Sequence, residues 1–391
     1  MSDLPAAMRG LPLLGDLGEL DGRRVLVRVD FNVPLEAGPG GGWVVADDFR
    51  IRATVPTLEW LLEHGASVVC CSHLGRPKGH PDPRWEMAPV RKALAKLCPD
   101  VGLLENLRFD PGEEANDPAF VDRLVDGFDA YVNDAFGASH REHASVMGPP
   151  TRLPSAAGLR LATEVEVVAG LLHEPARPFV AVLGGAKVAD KLGVVAAVGR
   201  VADVVLVGGA MAFTFLSSQG RGVGASLVDP TRVDDCWALL GRAARVVLPT
   251  DIVALSPGAS FGPGSTDGEV RSFEGDLPEG WVGLDIGGAT ASTFARLLAE
   301  ARTILWNGPM GAFEDERFAA GTEAVARAVA TSGAFSVVGG GDSALALERA
   351  GLADAVSFVS TGGGATLRLL EHGDLPALAV LRAASNAPGR P

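Results

Sequence analysis

The second half of the chain repeats one local pattern: a short apolar run, then a glycine-rich turn, then a segment with helical spacing. Unbroken apolar strands that alternate with helices are typical of a parallel sheet covered on both faces, so the pattern predicts an α/β domain. The repeats are FVAVLGGAKVADKL from Phe179, VVLVGGAMAFTFL from Val204, VGLDIGGATASTFARLL from Val282, ILWNGPMGAF from Ile304, FSVVGGGDSALAL from Phe335 and VSFVSTGGGATLRLL from Val356.

The first half repeats a related pattern, but polar and cationic residues follow its apolar runs. Ligands of open α/β sheets bind beyond the carboxyl ends of the strands, which is where these residues fall. A second α/β domain with different chemistry is therefore expected. Its segments are VLVRVDFNVP from Val25, SVVCCSHLGRP from Ser67, VGLLENLRF from Val101 and AYVNDAFGASHREHAS from Ala130.

The length of 391 residues exceeds what one hydrophobic core usually serves. Helical spacing from Glu164 to Leu172, followed by Pro175 and Pro178, indicates a linker helix between the halves. We therefore expect two similar-sized α/β domains, each a mostly parallel sheet with helices on both faces. The expected boundaries are 1–163 for the first domain, 164–176 for a hinge helix and 177–372 for the second domain.

Composition narrows the class of protein. A net charge of -14 disfavours binding to nucleic acid or to an anionic membrane, because both need a positive surface. The apolar runs are too short to span a bilayer, and the first residues lack the basic and apolar regions of a secretory signal. The four cysteines form no C-x-x-C pair. These features predict a cytoplasmic protein with reduced thiols and small-molecule partners.

Lys187 and Lys191 follow the glycine turn at Gly184 and Gly185 and lie four residues apart. On a helix, that spacing would project both ammonium groups from one face near the positive end of the helix, which favours a phosphate site. The alternative is a solvated lysine pair, since charges four apart are common on helices.

Two further glycine runs, Gly339–Ser343 and Thr361–Gly364, follow apolar strands and open helical segments. Free backbone N–H groups at such positions can hold anionic oxygens, although tight strand-to-helix packing would also explain the glycines. Asp342 is a candidate ligand for the Mg²⁺ that accompanies nucleotide phosphates, or a helix cap. The sequence contains no G-x-x-x-x-G-K-[ST] segment, so a conventional P-loop is not expected.

The first half carries cationic and polar residues near the ends of successive elements, and these could converge on one pocket for phosphate and carboxylate groups. Each of them alone is more simply explained as a surface or ion-paired residue. The histidines lack zinc-like spacing, and no G-x-S-x-G elbow is present. The residues are Asp30, Asn32, Arg50, His73, Arg76, Arg108, His140 and Arg141.

Taken together, these segments closely resemble the phosphoglycerate kinase family, whose motifs they match in order from about Val25 to Leu370. The match is highly specific, because no chance assembly of glycine turns would reproduce it. It consists of RVDFNVP, DDFRI, SHLGRPKG, LLENLRF, YVNDAFGASHREHAS, LGGAKVADK, GGAMAFTFL, LWNGPMGAFE, GGGDSA and STGGGA.

The resemblance implies two lobes joined by a helix, with the C-terminal segment, about 373–391, packing back near the first lobe. It implies a glycolytic kinase that transfers a phosphoryl group reversibly between ATP and the carboxylate of 3-phosphoglycerate, giving 1,3-bisphosphoglycerate. Mg²⁺ would accompany ATP or ADP, and the protein would be a monomer. Because the substrates sit on separate lobes, hinge closure would bring them together.

The resemblance also implies roles for individual residues. Asp30, Asn32, Arg50, His73, Arg76, Arg108 and Arg141 would hold 3-phosphoglycerate in the first lobe. Arg50 and Lys187 would neutralise the transferring group, Asp342 would meet the metal, Glu314 the ribose, and Gly208, Gly209 and Pro309 the adenine. The remaining nucleotide positions would be Lys191, Asn307, Gly339, Gly340, Gly341 and Ser343.

Three features depart from the family's pattern. A stretch of about one strand with its connections is missing before Val101, so the first sheet is expected to be trimmed. Gly288 stands where proline is usual, and Phe49 stands beside Arg50 where threonine is usual. These departures leave two alternatives to an active phosphoglycerate kinase. One is a paralogue acting on another phosphorylated carboxylate, and the other is a nucleotide-binding regulatory protein without turnover.

Overall fold

The structure is a computed structural model that describes residues 4–38, 40–241 and 245–386. The described chain divides into two compact units. Unit 1 comprises 4–169 together with 372–386, and unit 2 comprises 170–371.

Strands and helices alternate along most of the chain. The strands are β1 Arg24–Arg28, β2 Leu35–Ala37, β3 Trp43–Val45, β4 Ser67–Cys71, β5 Gly102–Leu103, β6 Ala130–Asn133, β7 Ser155–Ala157, β8 Phe179–Leu183, β9 Val204–Val207, β10 Arg245–Val247, β11 Asp251–Leu255, β12 Val270–Glu274, β13 Val282–Ile286, β14 Thr303–Asn307, β15 Phe335–Gly339 and β16 Phe358–Val359. The helices are α1 Phe49–Glu63, α2 Ala88–Leu97, α3 Pro111–Glu114, α4 Pro118–Val125, α5 Ala144–Met147, α6 Leu159–Gly170, α7 Leu192–Val198, α8 Met211–Ser218, α9 Val233–Leu240, α10 Gly288–Ala299, α11 Ala320–Thr331, α12 Gly341–Arg349, α13 Gly363–His372 and α14 Pro376–Ser385.

The main sheet of unit 1 is parallel, with the strand order β5-β4-β1-β6-β7. Val25 and Val27 pack into one buried cluster, whereas Leu26 between them packs into another. Successive side chains of a strand point to opposite faces, so this sheet has a hydrophobic core on each side. That arrangement explains why β1 reads as a nearly continuous apolar run.

The edge of this sheet is short. Strand β5 consists of Gly102 and Leu103 and pairs with only Val69 and Cys70 of β4. The short edge lies where the sequence lacks the stretch expected before Val101. A trimmed sheet edge is what that departure predicts.

Unit 2 contains a second parallel sheet, with the order β10-β9-β8-β14-β15-β16. Every residue of β8 and of β14 is buried, as expected for central strands covered on both faces. The fold class is therefore confirmed: two α/β units, each built on a parallel sheet.

One strand differs from the prediction. The pattern from Val282 predicts a further parallel strand, but β13 pairs antiparallel with β11 in a separate sheet of order β12-β11-β13. Strand β12 is almost wholly exposed, and Val282 and Leu284 of β13 are only half-buried. A sheet with one open face suits antiparallel pairing, and this is the physical reason for the difference.

The predicted linker helix is observed as α6, which begins before Glu164 and ends at Gly170, earlier than the predicted end. Oδ1 of Asp134 accepts hydrogen bonds from the backbone N–H groups of Arg160 and Leu161, at 2.9 and 3.2 Å. A carboxyl oxygen at these otherwise unpaired donors fixes the helix start at Leu159. The division between the units falls at Gly170, the last residue of this helix. Its part as a hinge stays a prediction.

The C-terminal helix α14 belongs to unit 1. Ala377 packs with Ala135, Ala138 and Val146, and Nη1 of Arg382 donates to the carbonyl of Ala7 at 2.8 Å. Residues 387–391 of the expected returning segment lie outside the described residues. In the part of the chain that the structure describes, no helix has the length and hydropathy needed to cross a bilayer.

Candidate active site

In unit 1, an aspartate and an arginine from different elements form the centre of a cationic cluster. Asp30 follows β1, Arg50 lies in the first turn of α1, and Arg50 Nη1 meets Asp30 Oδ2 at 2.5 Å. Burial alone would raise the pKa of Asp30, but the charges of Arg50 and Arg28 and the N–H of Asn32 hold it below its usual value. Asp30 is therefore ionised and fixes the guanidinium of Arg50.

His73 follows β4 and is buried beside this pair. Its Nδ1 lies 3.2 Å from Nη2 of Arg28. Burial, followed by the charges of Arg28 and Arg108, holds the pKa of His73 well below its usual value, although Asp30 opposes them. The imidazole is therefore neutral at physiological pH and can accept a hydrogen bond from Arg28.

Arg108 is almost fully buried, at 4% exposure, and donates through Nη1 to the carbonyl of Gly75 at 2.7 Å. Its Nε lies 3.1 Å from a carboxylate oxygen of Glu114, yet it makes no hydrogen bond with the described residues. A buried guanidinium whose donors are only partly used is suited to an anionic ligand.

The other predicted residues of unit 1 are more exposed. Oδ1 of Asn32 accepts a hydrogen bond from the N–H of Gly75 at 2.8 Å. Arg141 is half-buried, and its charge lowers the pKa of Arg108 after the larger effect of burial. Arg76 is exposed and follows Gly75 in the chain. Arg76 is near this cluster only because it follows Gly75 in the same loop. The predicted residues that direct contacts or mutual effects on pKa bring together are Asp30, Asn32, Arg50, His73, Arg108 and Arg141.

Sequence reasoning missed two members of this cluster, Arg28 and His143. Arg28 is 1% exposed and donates through Nε to Oγ of Ser145 at 2.8 Å, and Ser145 in turn bonds to the buried carboxylate of Glu113. Burial, with the charges of Arg108 and Arg141, lowers the pKa of His143 to about 4. The sequence did contain a signal for Arg28. A cation inside the apolar run VLVRV lies in a buried strand, where a charged residue needs partners.

Taken together, the cluster gathers more guanidinium groups than carboxylates, and its histidines are uncharged. Forked guanidinium groups match the oxygens of phosphate and carboxylate groups and bind them with two parallel hydrogen bonds. This part of unit 1 can therefore hold a small organic anion.

In unit 2, a cavity of about 300 Å³ opens at the carboxyl ends of β8, β14 and β15. This is the edge of a parallel sheet at which ligands bind. The cavity is lined by Gly185, Ala186, Lys187, Asp190, Lys191, Asn307, Gly308, Pro309, Gly340, Asp342, Ser343 and Leu367.

Both predicted lysines line this cavity, but the prediction that they share a helix face is wrong. Helix α7 begins at Leu192, so Lys191 is its N-cap and Lys187 lies in the preceding loop. Gly185 adopts a φ of 103°, which turns the chain away from a helical path. Nζ of Lys191 reaches back to the carbonyl of Gly184 at 2.5 Å.

Lys191 also donates to Asn307, to the backbone oxygen at 3.0 Å and to Oδ1 at 2.8 Å. Burial lowers the pKa of Lys191 to about 8, although the carboxylates of Asp342 and Asp190 oppose the shift. With its Oδ1 engaged, Asn307 has a buried Nδ2 that finds no hydrogen-bond partner among the described residues. That donor lies next to the glycine turn, since a Cβ on Gly340 would approach it to 3.4 Å.

The two glycine runs open helices as predicted. Gly340 has a φ of 94° and precedes α12, and Gly363 opens α13. A Cβ on Gly363 would lie 3.0 Å from the Cα of Gly340, so the two helix starts approach backbone to backbone. The N–H groups in the first turn of a helix have no hydrogen-bond partner within that helix. Together with the unpaired Nδ2 of Asn307, they form a set of donors at this edge of the sheet. This arrangement favours an anion with several oxygens.

Other predicted nucleotide residues hold the loops in place. Oγ of Ser343 accepts a hydrogen bond from the N–H of Gly308 at 2.7 Å and is fully buried. Gly208 and Gly209 do not line the cavity. Gly209 donates to the carbonyl of Met310 at 2.9 Å, and a Cβ at Gly209 would come within 2.5 Å of the backbone of Gly185. These glycines allow three loops to pack closely at the sheet edge.

Glu314 lies at a separate cavity of about 380 Å³, together with Phe313, Pro263 and Arg349. The structure therefore does not bring Glu314 into the cavity that contains the lysines.

The acidic residues suit a metal ion that arrives with a nucleotide. Asp342 and Asp190 both line the lysine cavity with exposed carboxylates. Among the described residues, no group of three or more His, Cys, Asp or Glu side chains could hold a metal ion. Mg²⁺ commonly binds through one or two carboxylates, phosphate oxygens and waters, and these residues fit that mode.

Comparisons with known proteins identify the family. The family model described as phosphoglycerate kinase matches residues 14–102 and 99–373. A phosphoglycerate kinase of Rubrobacter xylanophilus is 52% identical over 387 residues, with 93% of this chain and 96% of the relative covered. One of Salinispora tropica is 49% identical over 393 residues, with the same coverage.

Solved structures match as well. The phosphoglycerate kinase from Coxiella burnetii has a TM-score of 0.83 and 34% identity, covering 96% of this chain and 100% of the other. The enzyme from Pyrococcus horikoshii has a TM-score of 0.80 and 30% identity, covering 96% and 99%.

The fold and the comparisons define an α/β kinase, with a lysine-lined cavity in one unit and a guanidinium-rich cluster in the other. The chain belongs to the phosphoglycerate kinase family. It is a phosphotransferase with a carboxyl group as acceptor, and its role is glycolytic.

The comparisons also bear on the missing stretch. The family match is divided at 99–102, next to the short strand β5. In addition, the alignment with the first relative has 387 positions, which is more than the number of residues in the 93% of this 391-residue chain that it covers. The extra positions hold residues of that relative without a counterpart here.

Proposed function

We propose that this enzyme transfers the γ-phosphoryl group of ATP reversibly to the carboxylate of 3-phosphoglycerate, giving 1,3-bisphosphoglycerate and ADP. The nucleotide would bind in unit 2 with its phosphates in the lysine cavity. The unpaired Nδ2 of Asn307 and the N–H groups at Gly341 would hold phosphate oxygens. Lys191 is already bonded to Asn307 and would organise this site, whereas the exposed Lys187 is available for the transferring group.

The acceptor would bind in unit 1. Arg108 and Arg141, with the neutral His73, suit a phosphate group, because guanidinium donors pair with its oxygens and Arg108 is buried. Asn32 and Arg76 would complete the subsite from its exposed side. Arg50 is held by Asp30 and would stabilise the charge on the oxygens that are being transferred.

The chemistry requires no general base. A carboxylate is already ionised at neutral pH, so one of its oxygens attacks the γ-phosphorus directly and forms the new O–P bond. The bond from the γ-phosphorus to the bridging oxygen breaks, and its electron pair leaves with ADP. The protein therefore acts by aligning the two groups, excluding water and stabilising charge.

Asp342 and Asp190 would hold Mg²⁺ together with the nucleotide phosphates, and the ion would supply charge neutralisation at those oxygens. We also infer a monomer, because both proposed subsites lie within a single chain. A cytoplasmic location is proposed because it suits a glycolytic role.

The observation that carries this proposal is the Lys191–Asn307 pair, because the unpaired Nδ2 of Asn307 lies beside the glycine turn at Gly340 that opens α12. The test is steady-state turnover with MgATP and 3-phosphoglycerate, with the acyl phosphate trapped by hydroxylamine as a hydroxamate. We expect turnover at ordinary kinase rates. A folded protein that binds ATP without forming hydroxamate would overturn the proposed reaction. Screening other phosphorylated carboxylates would then identify a shifted substrate.

A further inference from the structure

Gly75, in the loop after β4, contacts two of the proposed acceptor residues through its backbone. Its N–H donates to Oδ1 of Asn32 at 2.8 Å, and its carbonyl accepts from Nη1 of Arg108 at 2.7 Å. The position of this one residue therefore sets the positions of two side chains that come from different elements.

The indole of Trp85 lies directly over Gly75. Gly75 has a φ of 62°, and a Cβ built on it would come within 2.2 to 2.5 Å of three ring atoms of Trp85. No real side chain tolerates such a distance, so the ring is in contact with the Cα of Gly75. Glycine is required here both by its φ and by the ring.

Trp85 is itself held on the framework of unit 1. It ends a 3₁₀ helix, Pro83–Trp85, whose Asp82 cap accepts from the N–H of Arg84 at 2.9 Å. The carbonyl of Trp85 accepts from Nδ2 of Asn106 at 2.8 Å. Asn106 also bonds to both backbone groups of Leu74, so the indole and the loop that it covers share one anchor.

A second tryptophan provides a natural control. The guanidinium carbon of Arg84 lies 4.7 Å from the ring centroid of Trp85 and 5.3 Å from that of Trp43. Trp43 belongs to the hairpin of β2 and β3, and its ring is not among the atoms nearest to a Cβ on Gly75. The two indoles therefore share a cation, but only that of Trp85 covers the loop.

We propose that Trp85 is a positioning residue for the acceptor subsite. It acts through Gly75 on Asn32 and Arg108 and does not itself touch the substrate. The proposal rests on the proposed assignment of Asn32 and Arg108 to 3-phosphoglycerate. With the ring absent, a glycine at positive φ has space to move, and both hydrogen bonds to it lose their fixed geometry.

The first test compares Trp85→Ala, Trp85→Phe and Trp43→Ala in steady-state kinetics, with thermal unfolding measured for each. Trp85→Ala should raise KM for 3-phosphoglycerate about tenfold, because small displacements of positioned groups are costly. Its KM for MgATP should stay within about twofold. Trp85→Phe keeps an aromatic ring over Gly75 and should restore most of the affinity, and Trp43→Ala should resemble the wild type.

The second test asks whether the ring acts through Gly75. Gly75→Ala places a methyl group against the indole and should also raise KM for 3-phosphoglycerate. In the double variant Gly75→Ala with Trp85→Ala, the methyl group finds space, so the two effects should combine to less than their product. A combined effect equal to the product would overturn the proposed route.

A third measurement separates this inference from the assignment beneath it. Arg108→Ala should raise KM for 3-phosphoglycerate, and an unchanged value would mean that the subsite itself is assigned wrongly. If Arg108→Ala raises KM but Trp85→Ala behaves like Trp43→Ala, the subsite stands and the positioning role is overturned. If Trp85→Ala does not fold, the test rests on Gly75→Ala. An unchanged KM for 3-phosphoglycerate in that variant would contradict the positioning role.

Discussion

Asn307 presents both its backbone oxygen and its side-chain oxygen to one ammonium group, that of Lys191, at 3.0 and 2.8 Å. The amide is thereby oriented with its Nδ2 toward the glycine turn at Gly340. Lys191, which its sequence pattern predicts to be a phosphate ligand, thus orients a neighbouring donor.

This contact predicts a pH dependence. Burial lowers the pKa of Lys191 to about 8, so in the free enzyme its charge is lost as pH rises through that value. The kcat/KM for MgATP reports on the free enzyme and should therefore decline above about pH 8. Lys191→Arg should remove the decline, since a guanidinium stays charged, even if its absolute rate is lower.

The measurement is kcat/KM for MgATP between about pH 6 and about pH 10, at saturating 3-phosphoglycerate. The profile of kcat should bend at higher pH, because bound phosphates favour the charged lysine. An identical decline in Lys191→Arg would assign the titration to another group.

Lys187 is the exposed lysine of the cavity, and the proposed role needs only its charge. Lys187→Ala should lower kcat by about 100-fold to 1,000-fold, the usual effect of removing one group that stabilises developing charge. The melting temperature should barely change, since an exposed side chain contributes little to packing.

The exposed Lys96 of α2 provides the control, and Lys96→Ala should leave both quantities unchanged. A kcat for Lys187→Ala equal to that of the wild type would remove Lys187 from the mechanism.

Ser343 should matter for stability as well as for the nucleotide. Its fully buried Oγ accepts from the N–H of Gly308, so Ser343→Ala leaves a buried donor without an acceptor. We expect a loss of about 1–3 kcal/mol in the free energy of unfolding, and a higher KM for MgATP.

Denaturant unfolding of unit 2 would measure this loss. Ser292 of α10 is exposed and donates to the carbonyl of Gly288, so Ser292→Ala is a matched control that should cost less than about 0.5 kcal/mol. Equal losses in the two variants would contradict the role given to the buried acceptor.

Asp134, which caps α6, should make stability depend on pH. Burial raises its pKa to about 7 against the lowering effect of its hydrogen bonds to Leu161 and Arg160. Between about pH 4 and about pH 7 the folded protein then binds more protons at this site than the unfolded chain does. The contribution of Asp134 to stability therefore falls as pH rises through that window, by up to about 1.4 kcal/mol per pH unit.

Asp134→Asn keeps an oxygen for the helix N–H groups but cannot ionise. Its stability relative to the wild type should therefore increase from about pH 5 to about pH 8 in urea unfolding. The exposed Asp129 supplies the comparison, and Asp129→Asn should show no such trend. A pH-independent difference for Asp134→Asn would show that the buried carboxyl is ionised throughout.

Local patterns in the sequence were enough to predict the α/β units and the glycine turns at Gly340 and Gly363. These features depend on near neighbours: an apolar strand, a residue that tolerates positive φ and a helix that follows. The same pattern of apolar runs followed by polar residues predicted that Arg50 and His73 lie near the ends of elements, and the structure has them at the start of α1 and after β4.

Contacts between distant segments could not be read in this way. Periodicity suggested a helix through Lys187 and Lys191, but the reach of Lys191 to Asn307 keeps the chain in a turn. The cover that Trp85 provides for Gly75 left no local signal. Arg28 did leave one, since a cation within a buried strand demands partners, but only the fold shows that Ser145 and His73 provide them.

The place of α14 in unit 1 has a consequence for the synthesis of the chain. Ala135, Ala138 and Val146 are covered by a helix that follows residues 170–371 in sequence. A ribosome therefore releases all of unit 2 before unit 1 can close over these side chains. Nascent unit 1 therefore keeps these apolar side chains uncovered while unit 2 is synthesised, and its packing is completed late in folding.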